Sequence, residues 1–358
     1  ITFKGTGTLT SEIISQLSGQ SNVVIEDYSK IGDGVFYGNS NVVSITIPAT
    51  VTEFGNNAFR STIHLASFNI PENNVEIIGN GAFFDSNITS FTIPVNLTNI
   101  GSYVFKQSQL KTITFEEGLL LNYIPNEMFA GSKLESFTLP PGITSIGSDV
   151  FYNVSSLISF IIPDNSQLAS IGKRVFTNTN LTDVLYIQNN TTLLYYPPLL
   201  ADTEVTIPQS VTSIGNSAFY GATGLTSIII PASVISIGPN AFFGASSLSS
   251  VTFEAGSQLA IIGDSAFRDA SSLSSITIPE SVTSIGSGAF LNASSLSSII
   301  IPAGVNSIGD NVFNGASSLT SIIIPAGVTS IGSNAFYQAS SLTSIIIPPG
   351  VTSIGSNA

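Results

Sequence analysis

Few side chains in this chain of 358 residues could do chemistry. The sequence contains one histidine, His64, one methionine, no cysteine and no tryptophan. Composition therefore excludes thiol nucleophiles, thiolate zinc sites and metal centres with several histidines. His64 could serve as a general base, but no nucleophile motif accompanies it and no second histidine could share a metal. We expect His64 to be a surface or corner residue.

The carboxylates offer little more. Glu116 and Glu117 are adjacent, and Asp33, Asp264 and Asp310 each directly follow a glycine. An Asp in that position suits the N-cap of a short turn, and no D-x-D-x-D-G calcium loop is present. We therefore predict no catalytic residues, no metal, no cofactor and no enzymatic activity.

Net charge restricts the possible partners. Charged residues make up 9% of the chain, against roughly 25% in ordinary soluble proteins, and the formal net charge is −13. Nucleic acids and anionic membrane surfaces are unsuitable partners for such a chain. No apolar run approaches the ~18 residues that span a bilayer, and the first ten residues do not resemble a signal peptide. We expect no membrane insertion by this segment.

Thirteen of the 23 phenylalanines occupy one position of an internal repeat. They are Phe36, Phe59, Phe83, Phe105, Phe129, Phe151, Phe176, Phe219, Phe242, Phe267, Phe290, Phe313 and Phe336. Successive members are 22 to 25 residues apart, except for one step of 43. The next phenylalanine would fall at position 359, and the first residue is Ile1, so we interpret the sequence as part of a longer protein.

The sequence of each repeat predicts two extended pieces joined by a corner. In one unit, Ile228 and Ile230 alternate with period 2, as a strand requires, and Pro231 ends that strand because it has no N–H to donate. A second short piece, 234–237, leads to Gly238, whose recurrence after isoleucine suits a turn with positive φ. The phenylalanine that follows would fill the interior of the turn.

A unit of about 23 residues cannot bury its apolar face alone, whereas stacked copies share one core. We therefore predict a repeat solenoid with a parallel β-sheet on one face and short turns, 3-10 or helical, on the other. Residues 1–35 form a degenerate first repeat with a short capping helix, and 36–177 are divergent repeats. Residues 178–209 are an atypical repeat that lacks the IG..AF half, and 210–358 are near-identical repeats.

The unit LxxIxIPxxVxxIGxxAFxxA resembles the BspA-like, or Treponema-type, leucine-rich repeats over nearly the whole chain. The resemblance rests on the IP corner, the IG pair and the phenylalanine. Members usually carry a cysteine a few residues later, where this chain has alanines such as Ala222 and Ala245. The resemblance implies a curved, right-handed solenoid on the surface of bacteria, protozoan parasites or large DNA viruses, with a role in adhesion or protein binding and no catalytic residues.

The best candidate contact surface is the outward position between the two apolar strand positions. It includes Thr252, Thr277, Ile300, Ile323 and Ile346. Exposed isoleucines in successive turns indicate an interface, although stacked β-branched residues also stabilise a sheet by themselves.

Three tyrosines form a second candidate surface where the repeat is broken. Tyr186, Tyr195 and Tyr196 are either a binding hot spot or, as we favour, a replacement for the missing phenylalanine, with help from Pro197 and Pro198.

Two hypotheses follow for the function. The first is a non-enzymatic, extracellular protein on a cell or virion surface that binds protein or glycan partners in adhesion. The alternative is a structural solenoid whose copies assemble end to end or laterally into a fibre, coat or stalk. Ice binding through the Thr/Ser array is a more distant possibility.

Overall fold

The computed structural model describes residues 1–14, 17, 19, 21–69, 74–187, 191–197 and 204–358. Its contacts divide the chain into two compact units, Ile1–Leu181 (unit 1) and Thr182–Ala358 (unit 2). Each unit is a parallel β-solenoid. A typical turn contains a strand, a corner, a two-residue strand and a hydrogen-bonded turn, which confirms the predicted fold class. The division between the units falls inside the segment 178–209.

Unit 1 begins with two short strands and one turn of helix, within the segment 1–35 where we predicted a capping helix. In the described residues its elements are β1 (Thr2–Lys4), β2 (Thr8–Leu9), α1 (Ser11–Ile14), β3 (Ser21–Glu26), β4 (Lys30–Ile31), β5 (Val42–Thr46), β6 (Glu53–Phe54), β7 (Ser67–Asn69), β8 (Ile77–Ile78), β9 (Ser90–Ile93), β10 (Asn99–Ile100), β11 (Thr112–Phe115), β12 (Tyr123–Ile124), β13 (Ser136–Thr138), β14 (Ser145–Ile146), β15 (Ser159–Ile161) and β16 (Ser170–Ile171). The longer strands pair in the orders β1-β3-β5-β7, β9-β11 and β13-β15. The two-residue strands pair as β2-β4-β6-β8-β10 and β12-β14-β16.

Unit 2 repeats this plan after an irregular start. Its described strands are β17 (Leu185–Ile187), β18 (Thr192–Tyr195), β19 (Glu204–Thr206), β20 (Ser213–Ile214), β21 (Ser227–Ile230), β22 (Ser236–Ile237), β23 (Ser250–Phe253), β24 (Ile261–Ile262), β25 (Ser275–Thr277), β26 (Ser284–Ile285), β27 (Ser298–Ile300), β28 (Ser307–Ile308), β29 (Ser321–Ile323), β30 (Ser330–Ile331) and β31 (Ser353–Ile354). The longer strands form the sheets β19-β21-β23 and β25-β27-β29. The two-residue strands continue the sheet β17-β18-β20-β22-β24-β26, in which β17 pairs antiparallel with β18, and form the sheet β28-β30-β31.

Pairing joins equivalent residues of successive turns. In unit 2, Ile276 pairs with Ile299 and Ile299 with Ile322, all parallel and all buried. Parallel strands need a crossover connection, and here the rest of each turn supplies it. The rest of each turn carries a two-residue strand and turns, so the sheet prediction is confirmed and a second row of strands is added.

The repeated phenylalanines form a stacked column inside each unit. In unit 1 the rings of Phe36 and Phe59 lie 5.3 Å apart with 10° between their planes. In unit 2 the rings of Phe242 and Phe267 lie 5.0 Å apart with 2° between their planes. The backbone reinforces the column, because the N–H of Phe267 donates to the carbonyl of Ala289 in the next turn at 2.8 Å. The predicted phenylalanine core is confirmed.

The recurring glycine after isoleucine serves a different purpose from the predicted one. None of these glycines in the described residues has a positive φ; the left-handed residue comes two positions later, as at Ser265, with φ 53°. The glycine is needed because backbones of successive turns approach closely. A Cβ atom on Gly286 would lie 2.4 Å from the backbone nitrogen of Asp264, and one on Gly172 would lie 2.4 Å from that of Ser148. The positive-φ prediction is therefore wrong.

The Asp and Asn residues after that glycine also act between turns. Oδ1 of Asp264 accepts a hydrogen bond from the N–H of Ser287 at 2.9 Å, and Oδ1 of Asp310 accepts one from Ser333 at 2.6 Å. Asp33 accepts from Asn56 in the same way at 2.7 Å. Each oxygen satisfies the equivalent N–H of the next turn, so the prediction that these residues cap their own turn is wrong at these positions.

The close approach at the glycine yields a stability prediction. We expect Gly172→Ala to lower the free energy of unfolding by about 2 kcal/mol, because its Cβ must displace backbone of the previous turn. Gly142→Ala is the control: nothing lies within 4 Å of a Cβ built there, so we expect no loss. Urea denaturation followed by circular dichroism measures both. Equal stability of the two variants would contradict the packing role of Gly172.

Candidate interaction surface

The outward residues of the longer strands in unit 2 form one exposed row. Thr252 and Thr277 are exposed, and the exposed fractions of Ile300, Ile323 and Ile346 are 61%, 76% and 83%. We call these five residues the outer ladder. Large aliphatic side chains with such exposure in consecutive turns are unusual on a protein surface, and contiguous apolar patches commonly mark interaction sites.

Strand register links four of the five residues of the outer ladder, from Thr277 to Ile346. Thr277 pairs with Ile300, Ile300 with Ile323, and an isolated bridge joins Ile323 to Ile346. Because parallel strands lie about 4.8 Å apart, the three isoleucines form a continuous apolar stripe. Alternation along each strand places their neighbours, such as Ile322, in the core. Exposed serines flank the stripe on the other outward position of these strands, including Ser298 and Ser321.

The three tyrosines at the broken repeat do not join the outer ladder. Tyr186 is half-buried on β17, which pairs antiparallel with β18 at the edge of the sheet that contains the two-residue strands β20 to β26. Burial raises the pKa of its phenol above the usual value. Tyr195 and Tyr196 are buried in the core of unit 2, exposed by only 6% and 7%. Little of either side chain is therefore left for a partner.

Tyr196 takes the position of the missing phenylalanine. Its ring stacks on that of Phe219 at 5.1 Å, and its N–H donates to the carbonyl of Ala218 at 2.8 Å, as the repeated phenylalanines do with the next turn. Strand β18 pairs with β20 through Thr192 and Leu193. The sequence motif IG..AF is absent here, yet the segment still supplies that half of the turn. Pro197 is buried beside it, and Pro198 lies outside the described residues.

A row of aromatic and arginine side chains follows the phenylalanine column and was not anticipated. Each residue comes directly after a repeated phenylalanine. In unit 2 the rings of Tyr220 and Phe243 stack at 4.9 Å, and the guanidinium of Arg268 lies 5.1 Å from the Phe243 ring. In unit 1 Arg60 lies between Tyr37 and Phe84. The sequence did contain a signal for this row, namely the shared repeat position. Residues at one position of the repeat lie next to their equivalents in adjacent turns.

Two of the remaining polar candidates, His64 and Glu116, contact the backbone of the preceding turn. Nδ1 of His64 lies 2.6 Å from the carbonyl oxygen of Ser40 in the preceding turn, at an exposed corner. A carboxylate oxygen of Glu116 accepts a hydrogen bond from the N–H of Val95 at 2.8 Å. Among the described residues, no three His, Asp or Glu side chains are grouped so that they could hold a metal ion. The same part of the chain contains no helix with the length and apolarity to cross a membrane.

Comparison with known proteins identifies the repeat. The BspA type leucine-rich repeat region, a family described with six copies of the repeat, matches residues 9–120, 76–196, 201–315 and 246–358. These ranges cover almost the entire chain, which therefore belongs to the BspA-type leucine-rich repeat family. No curated protein sequence gives a significant match.

Three bacterial proteins of known structure share the fold. A leucine-rich repeat protein from Bacteroides ovatus is 28% identical, with a TM-score of 0.55 over 89% of this chain and 82% of its own. A leucine rich cell surface protein from Faecalibacterium prausnitzii is 27% identical, with a TM-score of 0.55 over 90% and 89%. The pneumococcal vaccine antigen PcpA, at 20% identity, shares the fold with a TM-score of 0.61 over 96% and 94%.

The position of Tyr196 in the phenylalanine column predicts the effect of its replacement. We expect Tyr196→Ala to lower the free energy of unfolding of unit 2 by about 3 kcal/mol, because it leaves a cavity next to Phe219. Tyr196→Phe keeps the stacked ring, and we expect it to cost less than about 1.5 kcal/mol. Denaturation followed by tyrosine fluorescence tests both. A mild effect of the alanine substitution would show that the ring is dispensable there.

Proposed function

We propose that this protein is a non-enzymatic, surface-displayed leucine-rich repeat protein whose outer ladder in unit 2 binds a protein partner in adhesion. The observation that carries the proposal is the exposure of Ile300, Ile323 and Ile346 in one register. A β-branched residue that only stabilises the sheet could equally be threonine, as at Thr277 in the same row. Isoleucine there leaves apolar area in water, and a partner would remove that area.

Surface display is supported by similarity. The 27% identical protein from Faecalibacterium prausnitzii is described as a leucine rich cell surface protein, and its structure aligns over most of both chains. Family membership and the small number of chemically reactive side chains support a binding role rather than catalysis.

A protein suits this face better than a glycan does. Glycan hydroxyls placed against isoleucine would lose hydrogen bonds to water without replacement, which costs free energy. Apolar side chains of a protein would gain from the same contact. Unit 2 contains eight Asp or Glu residues and a single basic residue, Arg268, so two copies of it would repel each other. A different protein is therefore a more suitable partner than a second copy of the chain.

The binding role of the stripe is tested by introducing charge. We expect Ile300→Glu with Ile323→Glu to weaken partner binding at least about tenfold, because central apolar contacts dominate interfaces. Binding is measured by surface plasmon resonance against fibronectin, collagen and fibrinogen, and on a glycan array. Ile261→Glu is the matched control, since Ile261 is also exposed, at 47%, but lies on the shorter strand β24.

Three results would oppose the proposal. Unchanged protein binding by the double variant, with a native circular dichroism spectrum, would remove the outer ladder from the interface. Binding to glycans alone would indicate the other partner class. Concentration-dependent assembly in sedimentation velocity, lost in the double variant, would indicate that the face joins copies of this chain.

A further inference from the structure

A groove of about 470 Å³ adjoins the outer ladder at the ends of β23 and β25. Two of its lining residues, Thr252 and Thr277, are members of the outer ladder, so the groove and the ladder form one continuous surface. Its other walls include Phe253, Glu254, Pro279 and Glu280. The polar half of the outer ladder therefore ends beside two carboxylates, whereas the other half is apolar.

A longer corner forms one wall of the groove. The step from Phe242 to Phe267 is 25 residues, two more than in most neighbouring turns of unit 2. The extra residues lie after β23, where Phe253-Glu254 replaces the usual Ile-Pro and Gly256 adopts φ +78°. The next turn returns to the normal length and places Pro279 and Glu280 on the opposite wall.

The carboxylate of Glu254 is fixed in place and ionised. Nε2 of Gln209 lies 3.0 Å from each of its oxygens, and the N–H of Ala232 donates to Oε2 at 3.1 Å. These hydrogen bonds, that of Gln209 first, lower the pKa of Glu254 below its usual value. A carboxylate held in this way loses little conformational freedom when it binds a ligand.

Neither carboxylate of the groove has a positive partner within unit 2. Glu280 is exposed, and its carboxylate makes no hydrogen bond or ion pair with any described residue. The one basic residue of the unit, Arg268, stacks on Phe243 and lies 3.5 Å from a carboxylate oxygen of Asp269. It does not line the groove. The groove therefore presents uncompensated negative charge beside the polar half of the outer ladder, and Thr277 on its lining pairs with Ile300, the first residue of the apolar stripe.

We propose that the partner of the outer ladder presents lysine or arginine next to apolar side chains, with the cation in the groove of Glu254 and Glu280 and the apolar groups on Ile300 and Ile323. This inference rests on the function proposed above. Charge complementarity selects a basic protein segment over a second copy of this acidic chain and adds specificity and association rate to the apolar contact. The hydroxyls of Thr252 and Thr277 provide additional acceptors for the cationic group.

The probe for the test is a phage-displayed library of random peptides, selected on the immobilised full chain. We expect selected peptides to combine Lys or Arg with apolar residues. Fluorescence anisotropy of synthetic copies should show affinity reduced roughly three- to tenfold by Glu254→Gln with Glu280→Gln, and less dependence on salt than with the native protein. Asp269→Asn removes a carboxylate of the same unit outside the groove and should leave the affinity unchanged.

The outcomes separate the inference from the proposed function. Peptides that bind the Ile300→Glu, Ile323→Glu variant as tightly as the native protein would overturn both. Peptides that need the isoleucines but lack basic residues, or ignore both glutamate substitutions, would overturn this inference and leave the proposed function intact. Glu280→Gln alone alters no intramolecular bond, so it provides the same comparison should the double substitution impair folding.

Discussion

The structure depends on contact between one turn and the next. A single turn is too small to form a core, so its phenylalanine is buried by stacking on equivalent rings of neighbouring turns, as Phe267 does on Phe242 and Phe290. Hydrogen bonds between adjacent turns and the glycine that permits close backbone approach follow from the same requirement. Stability in such a protein is approximately a sum of turn and nearest-neighbour terms, so every irregularity must preserve the stack.

Irregular turns satisfy that requirement in two ways. A longer turn places its additional residues at a corner, and a glutamate there compensates for the changed backbone: Glu116 binds the N–H of Val95, and Glu254 binds that of Ala232. The broken repeat of unit 2 lacks the IG..AF motif, and Tyr196 takes the place of the repeated phenylalanine by stacking on Phe219. In both cases the column is kept and the surface changes. The groove beside Glu254 is therefore a consequence of an irregular corner.

Sequence periodicity predicted the features that recur at the same position of every turn. The buried Ile228 and Ile230, the strand ends and the phenylalanine column follow from alternation and recurrence. The role of the glycine was assigned wrongly because the local pattern suggested a positive φ angle. Glycine recurs there because the backbones of successive turns lie too close together for a Cβ atom. Tyr196 was expected to fill the space of the missing phenylalanine. Its exact position in the column depends on the pairing of β18 with β20 of the next turn, which the sequence of one turn does not indicate. The groove at Glu280 was missed for the same reason, since its walls come from two turns.

Core and surface are separable within one strand of this fold. In β27 the side chain of Ile299 is buried and stacks on its equivalents, whereas that of Ile300 points to solvent. The buried position is restricted to residues that fill the core, but the outward position is restricted only by its strand neighbours. Thr277 and Ile300 pair directly across that position, so a threonine and an isoleucine fit the same sheet. The fold therefore fixes where the outer ladder lies and leaves its chemistry free, so under the function we propose binding specificity lies in the outward residues and the corners beside them.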